Sequence, residues 1–247
     1  MFRYFFEISY NGSDFFGWQK QPNQLAVQEV IEKALAQLYS CTSIAIVGCG
    51  RTDAGVHAYQ YYFHADLIND QQERHLEFKL NRMLPLSIAV KKVFRVEDHS
   101  HARFSARLRT YRYFIHQKKD PFKEGLSLYY PQVLNFDQMN MAATRLIGKQ
   151  DFTSFSKLHT DVKTNICAVT QAKWNQQDDD SWYFEISADR FLRNMVRSVV
   201  GTLLDIGSGK MRVEDIESVV VARDRGAASL SVPAHGLFLW EVNYGII

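Results

Sequence analysis

The chain has little cysteine and no long apolar run, and each shortage excludes a class of protein. Its three cysteines, Cys41, Cys49 and Cys167, are odd in number and far apart, without a CxxC pair. This pattern excludes a disulfide framework and the usual zinc spacings, and it favours a reducing compartment. No run is long enough to span a membrane, and the N-terminal MFRYFFEISY lacks the apolar core of a signal peptide. We therefore expect a cytoplasmic protein with no membrane segment.

Net charge is also small, at +2 for 247 residues, so the overall charge identifies no partner. The local charge is more informative. Residues Lys91–Lys119 hold nine Lys and Arg residues against two acids, interleaved with aromatic side chains. Basic groups neutralise phosphates, and aromatic faces stack on bases. The stretch predicts nucleic-acid binding or, alternatively, a strand pair with a solvated basic face.

Hydrophobic periodicity predicts an α+β fold of two similar halves. In the first half we expect strands over 2–9, 43–47, 59–67 and 87–96, and helices over 25–39 and 74–83. In the second half we expect strands over 110–117, 166–174, 182–188 and 236–244, and helices over 137–147, 189–206 and 213–222. The β-α-β-β-α-β order is the ferredoxin-like pattern. We predict two such halves, 1–106 and 107–247, around a joined, mainly antiparallel sheet with helices on one face.

The loop GCGRTDAGVHA follows an apolar, β-branched segment and carries opposite charges. It matches neither GxxxxGK[ST] nor GxGxxG, so a nucleotide-phosphate cradle is not expected. Gly50 and Gly55 predict a tight turn with positive φ, in which Asp53 caps the backbone. Arg51 lies two positions from Asp53, and a carboxylate kept ionised by a nearby cation can act as a nucleophile or a base.

Two further segments carry candidate chemistry. The segment DRFLRNMVRSVVG predicts a mostly buried helix on which Arg193 and Arg197 share one face. Such arginines need carboxylate or phosphate partners, although structural ion pairs or a path to solvent would also satisfy them. On a strand over RTYRYF, Tyr111 and Tyr113 face the same side. A tyrosine can stack on a base and exchange a proton, whereas a core role fits Tyr113 better than Tyr111.

Together these blocks resemble the tRNA pseudouridine synthase A family. The resemblance rests on GRTDAGVHA, HARFSA, RTYRY, DFTSF and FLRNMVRSVVG, which occur in this order. The N-terminal ISYNGSDFFGWQKQP and VQEVIEKAL and the closing GLFLWEVNY match as well, so the resemblance covers nearly the whole chain. It implies isomerisation of uridine to pseudouridine in the tRNA anticodon stem-loop, at positions 38, 39 and 40. It also implies a homodimer that needs no cofactor and no metal.

The resemblance assigns roles to individual residues. Asp53 is expected to be the essential catalytic carboxylate, paired with Arg193 or Arg197, and Tyr111 is expected to stack on the target uracil. Arg51 is expected to hold the flipped nucleotide. The other expected RNA-binding residues are His57, Arg103, Phe104, Arg107, Arg109 and Arg112. His57 is also a candidate for hydrogen bonding within its own loop.

One departure from the family pattern lies just after GVHA. Gln60 and Tyr61 replace a small residue and a glutamine, which puts the substrate range in question.

Two other functions are compatible with the sequence. One is an RNA-binding protein without turnover, and the other is a metal-dependent hydrolase built on Asp53, His57 and His64. Against the second, the chain contains no HExxH motif.

Overall fold

The computed structural model describes residues 1–68, 73–157, 164–178 and 180–245. These residues form two compact units. The first comprises Met1–Arg107 together with the chain from Phe238 onward, and the second comprises Leu108–Leu237. Both contain helices and antiparallel strands, which confirms the predicted α+β class.

The first unit has the predicted β-α-β-β-α-β order. Its elements are β1 (Phe2–Tyr10), α1 (Val27–Leu38), β2 (Ile46–Gly48), β3 (His57–Leu67), α2 (Glu73–Met83) and β4 (Ile88–Arg95). Antiparallel pairing places β1 between β4 and β3, with β2 on the other side of β3. Alternation along β1 and β3 puts Phe6 and Phe63 face to face, with ring centroids 4.6 Å apart. The amphipathic α1 adds its buried Val27, Ile31 and Leu35 to this core.

The last strand of the chain, β10 (Leu237–Asn243), corrects the predicted division. It pairs in parallel with β3, through Phe238 opposite His57 and Leu239 opposite Ala58. The residues from Phe238 onward therefore belong to the first unit rather than to a half covering 107–247. Local periodicity predicts a strand but does not reveal its long-range partner.

The second unit is built around three long antiparallel strands. Its elements are β5 (Leu108–His116), β6 (Leu128–Tyr129), α3 (Phe136–Thr144), β7 (Gly148–Asp151), β8 (Ile166–Asp178), β9 (Ser181–Ala188), α4 (Met195–Gly207) and α5 (Asp215–Ala222). β9 lies between β5 and β8, and β7 pairs with the start of β8. The sequence predicted the three long strands, but β6 and β7 are too short to give a periodic signal.

The helix α4 begins later than predicted. Asn194 precedes it with a φ of 68°, in the left-handed region, so the helix starts at Met195 rather than at residue 189. Arg193 thus lies before the helix and Arg197 within it, and the prediction that they share one helical face is wrong. Among the helices of the described residues, none has the length and apolar character to cross a membrane.

Candidate active site

Asp53 lies in a tight turn between β2 and β3 of the first unit. The backbone N–H of Val56 donates to the carbonyl of Asp53 at 3.1 Å, and Gly55 has a φ of 75°. Gly50 has no positive φ, so the prediction for that glycine is wrong. Asp53 is half-buried, whereas Arg51 is exposed. The turn therefore carries a half-buried aspartate and, two positions before it, an exposed arginine.

Three aromatic residues, Tyr10, Trp18 and Tyr61, hold the turn in place. The hydroxyl of Tyr61 donates to the carbonyl of Gly50 at 2.5 Å, and the backbone N–H of Trp18 donates to the carbonyl of Thr52 at 3.2 Å. The rings of Tyr61 and Trp18 stack with centroids 4.1 Å apart. The hydroxyls of Tyr10 and Thr52 are hydrogen bonded at 2.8 Å. The backbone that leads into Asp53 is therefore fixed by buried groups.

A segment to which the sequence analysis assigned no role in the site, around Gly12 and Gly17, packs directly on this turn. Gly17 has a φ of 89°, and a Cβ there would lie 2.4 Å from the carbonyl oxygen of Thr52 and 3.1 Å from the carbonyl carbon of Asp53. A Cβ on Gly12 would lie 2.0 Å from the carbonyl oxygen of Val56. Only glycine permits such close backbone approach. The sequence signal was the pair of glycines in NGSDFFGW, five residues apart.

His57 is part of this packing. Its side chain is 1% exposed, and its Nδ1 accepts a hydrogen bond from the backbone N–H of Gly12 at 3.0 Å. Its ring stacks on Phe238 with centroids 4.5 Å apart. A side chain buried in this way is not available to RNA in this structure. The position therefore favours the loop-support role of His57 over the predicted RNA contact.

His64 is held in a different environment from His57. Its Nδ1 accepts from the backbone N–H of Ala102 at 3.1 Å, and burial lowers its pKa to about 4, with a further contribution from Arg3. Within the described residues, no group of three or more His, Cys, Asp or Glu side chains comes together as a metal site would require. The geometry thus gives no support to a hydrolase built on Asp53, His57 and His64.

The segment HARFSA forms a turn that displays a cation and an aromatic ring. The Nδ1 of His101 accepts from the backbone N–H groups of Arg103 and Phe104, at 3.1 and 3.2 Å. The side chains of Arg103 and Phe104 are exposed, with the guanidinium 5.7 Å from the ring centroid. Arg107, a few residues on, is exposed as well. These three predicted RNA-binding residues are accessible to solvent.

In the second unit, the two tyrosines of RTYRYF have different environments. Tyr113 is fully buried, its hydroxyl donates to the carbonyl of Pro233 at 2.9 Å, and burial raises its pKa. Tyr111 is half-buried, and its ring meets Phe191 edge to face, with centroids 5.0 Å apart. This confirms the preference for Tyr113 as the core residue and leaves Tyr111 partly accessible.

Three of the four predicted arginines of the second unit have side chains that bond to protein groups, and the fourth, Arg193, is bonded through its backbone. Arg112 pairs with Glu185 at 2.5 Å and lies over the ring of Tyr183, while Arg109 donates to the carbonyl of Asp189 at 3.0 Å. The remaining two differ in exposure. Arg197 is half-buried and donates from Nε to the carbonyl of Val232 at 2.7 Å. Arg193 is exposed, and its carbonyl accepts from the backbone of Lys157 at 3.0 Å.

Comparison with known proteins identifies the family. A family model described as tRNA pseudouridine synthase matches residues 8–105 and 142–245.

The chain belongs to the tRNA pseudouridine synthase family.

Three relatives named tRNA pseudouridine synthase A illustrate the extent of the similarity. The protein of Parabacteroides distasonis is 51% identical over 99% of this chain and 96% of its own length. That of Porphyromonas gingivalis is 46% identical over 99% and 98%. That of Bacillus licheniformis is 41% identical over 96% and 97%. The similarity therefore extends over both units.

The departure from the family pattern at Gln60 and Tyr61 has a structural explanation. Tyr61 holds the turn, as described above. The Oε1 of Gln60 accepts from the backbone N–H of Val242 at 3.0 Å, and its amide donates to the hydroxyl of Tyr62 at 2.9 Å. Gln60 thus ties β10 to β3 beyond their short backbone ladder. Both residues support the protein interior rather than project into solvent.

Proposed function

We propose that this protein isomerises uridine to pseudouridine in the anticodon stem-loop of tRNA, at positions 38, 39 and 40, with Asp53 as the catalytic carboxylate. The reaction breaks the C1′–N1 bond, turns the uracil and forms a C1′–C5 bond. The observation that carries the proposal is the turn around Asp53. The half-buried Asp53 lies on a backbone fixed by Tyr61, Trp18 and Gly17, in a segment that the family model matches.

The surroundings of Asp53 suit a flipped nucleotide. A uracil inside a stem is inaccessible, so it must leave the stack before its glycosidic bond can react. We propose that Arg51, which is exposed two residues from Asp53, holds the displaced nucleotide. Asp53 then acts as nucleophile or base, and partial burial strengthens its interaction with the reacting charge.

Tyr111 is the proposed stacking partner of the uracil and acceptor of its C5 proton. Its half-buried ring, in contact with Phe191, supports this role better than that of the fully buried Tyr113.

The proposed partner of Asp53 is Arg193 or Arg197. Substitution of each arginine by lysine distinguishes the two. The variant that lacks the pairing arginine will lose turnover and retain its affinity for tRNA.

RNA is gripped mainly through its backbone and shape. We propose that the exposed Arg103, Phe104 and Arg107 contact tRNA, with Arg109 and Arg112 contributing positive charge to the same substrate. The family resemblance supports a cytoplasmic homodimer, and sedimentation equilibrium of the purified protein tests the dimer. No cofactor or metal is part of the proposed mechanism.

The deciding experiment incubates the purified protein with unmodified tRNA in excess chelator and maps pseudouridine by position. We expect product at positions 38 to 40. Binding without product would instead indicate an RNA-binding protein without turnover. Activity that the chelator abolishes would indicate a metal-dependent enzyme.

A further inference from the structure

The backbone before and after Arg51 is held by two buried aromatic residues, at the carbonyl of Gly50 and at the carbonyl of Thr52. The Tyr61 hydroxyl donates to the carbonyl of Gly50 at 2.5 Å, and the backbone N–H of Trp18 donates to the carbonyl of Thr52 at 3.2 Å. Tyr61 is 0% exposed and Trp18 is 3% exposed. In the low-dielectric interior of a protein, a hydrogen bond is stronger than it is in water. The backbone of Arg51 is therefore constrained although its side chain is in solvent.

The space for the Tyr61 hydroxyl is provided by a glycine. A Cβ on Gly48 would lie 2.1 Å from the Tyr61 hydroxyl oxygen and 2.6 Å from the Trp18 indole. Gly48 has no positive φ, so its backbone conformation is open to other residues. What requires glycine at this position is the room it leaves for Tyr61 and Trp18.

At Gly50, by contrast, the packing of the protein leaves room for a side chain. Gly50 has no positive φ, and a Cβ there would meet no atom of the described residues within 4 Å. Neither the conformation nor the packing of the protein requires glycine there. Glycine also serves where a backbone approaches a ligand closely. Because Gly50 is next to Arg51, the displaced nucleotide is the ligand that we expect to approach its backbone.

We propose that Tyr61 is a positioning residue for pseudouridine formation. Its hydroxyl fixes the peptide between Gly50 and Arg51, so that the Arg51 guanidinium reaches the displaced nucleotide while the bare backbone of Gly50 lies against it. This inference rests on the proposed function.

The test compares Tyr61→Phe with Tyr62→Phe. Each substitution removes one hydroxyl, but the Tyr62 hydroxyl donates to Glu7 and not to the turn. Single-turnover rates and tRNA dissociation constants are measured on unmodified tRNA. We expect Tyr61→Phe to lower the rate about tenfold with little change in affinity, and Tyr62→Phe to keep the wild-type rate. In an Arg51→Ala background, Tyr61→Phe should lower the rate by clearly less than tenfold, because most of its effect passes through Arg51.

A second variant keeps the inference testable if Tyr61→Phe folds poorly. Gly50→Ala should unfold at the wild-type temperature, because the methyl group has room, and yet lose turnover. Wild-type turnover in Gly50→Ala, equal rates for Tyr61→Phe and Tyr62→Phe, or losses that multiply in the double variant with Arg51→Ala would overturn the inference while leaving the proposed function intact. A wild-type protein that makes no pseudouridine would overturn both.

Discussion

The imidazole of His57 accepts a hydrogen bond from the backbone of Gly12, with 3.0 Å between Nδ1 and the amide nitrogen. His57 is the first residue of β3, and Gly12 follows β1. The bond therefore ties the segment after β1 to the point where the Asp53 turn enters β3. Because Nδ1 is the acceptor, this arrangement requires an imidazole that is not protonated at Nδ1.

We expect His57→Ala to lower the free energy of unfolding by roughly 2–3 kcal/mol, because it leaves a buried N–H without its acceptor and opens a cavity. The exposed His99 provides the control, and His99→Ala should change stability by no more than about 0.5 kcal/mol. Urea denaturation measures both. If His57→Ala kept full stability but lost tRNA affinity, His57 would be an RNA contact after all.

Gly17 cannot be replaced without disturbing the Asp53 turn, and Gly209 serves as the control for the effect of positive φ alone. Gly17 and Gly209 both have positive φ, at 89° and 79°, but only Gly17 faces the Asp53 turn. Gly209→Ala should cost about 1–2 kcal/mol of stability and leave turnover unchanged. Gly17→Ala should cost more and also slow pseudouridine formation, because its Cβ would displace Thr52. Equal turnover in the two variants would contradict the proposed support of the turn.

The sequence predicted the elements of the fold better than their partners. Alternation and helical spacing located the long strands and most helices, because those signals are local. The pairing of β10 with β3 was missed, since pairing is a long-range property. The start of α4 was missed because the left-handed conformation of Asn194 interrupts an apolar pattern that continues through it.

The turn around Asp53 was predictable as a loop, but its supports were not. The contacts of Gly12, Gly17 and Tyr61 depend on how segments far apart in sequence pack together. Motifs indicate which side chains carry chemistry, while glycines and buried aromatics that hold a backbone give no local periodic signal. His57 illustrates this, because its burial and its bond to the backbone of Gly12 support the loop-support interpretation, whereas the sequence left the RNA contact open as well.

His64 should make stability depend on pH. Burial, Arg3 and His101 lower its pKa to about 4, against the raising effect of Asp66. A group with a depressed pKa in the folded state stabilises the fold fully above its unfolded pKa of about 6.5, and the contribution disappears as pH falls towards 4. This contribution to the free energy of unfolding is at most about 3 kcal/mol.

The measurement for His64 is unfolding free energy from pH 7.5 to pH 4, for wild type and His64→Asn. The asparagine Oδ1 can accept from Ala102 without titrating in this range. The wild type should therefore lose stability relative to the variant as the pH falls. Two curves that stay parallel throughout would show that His64 does not titrate as its burial predicts.

Tyr111→Phe should retain stacking on the uracil while weakening proton transfer from C5. We expect unchanged tRNA affinity and a rate about 10²-fold lower. Tyr113→Phe is the matched variant, since its hydroxyl bonds to the carbonyl of Pro233 inside the unit, and it should lose stability rather than rate. An unchanged rate in Tyr111→Phe would remove its phenol from the mechanism.

The central claim is that Asp53 is the catalytic carboxylate. Its most direct test is single-turnover release of tritium from C5-labelled uridine in tRNA, with tRNA affinity measured in parallel, for wild type and Asp53→Ala. We predict affinity within about threefold of wild type and a rate at least about 10³-fold lower, because binding is retained while the reacting group is lost. Tritium release by Asp53→Ala at a rate close to wild type would contradict the claim.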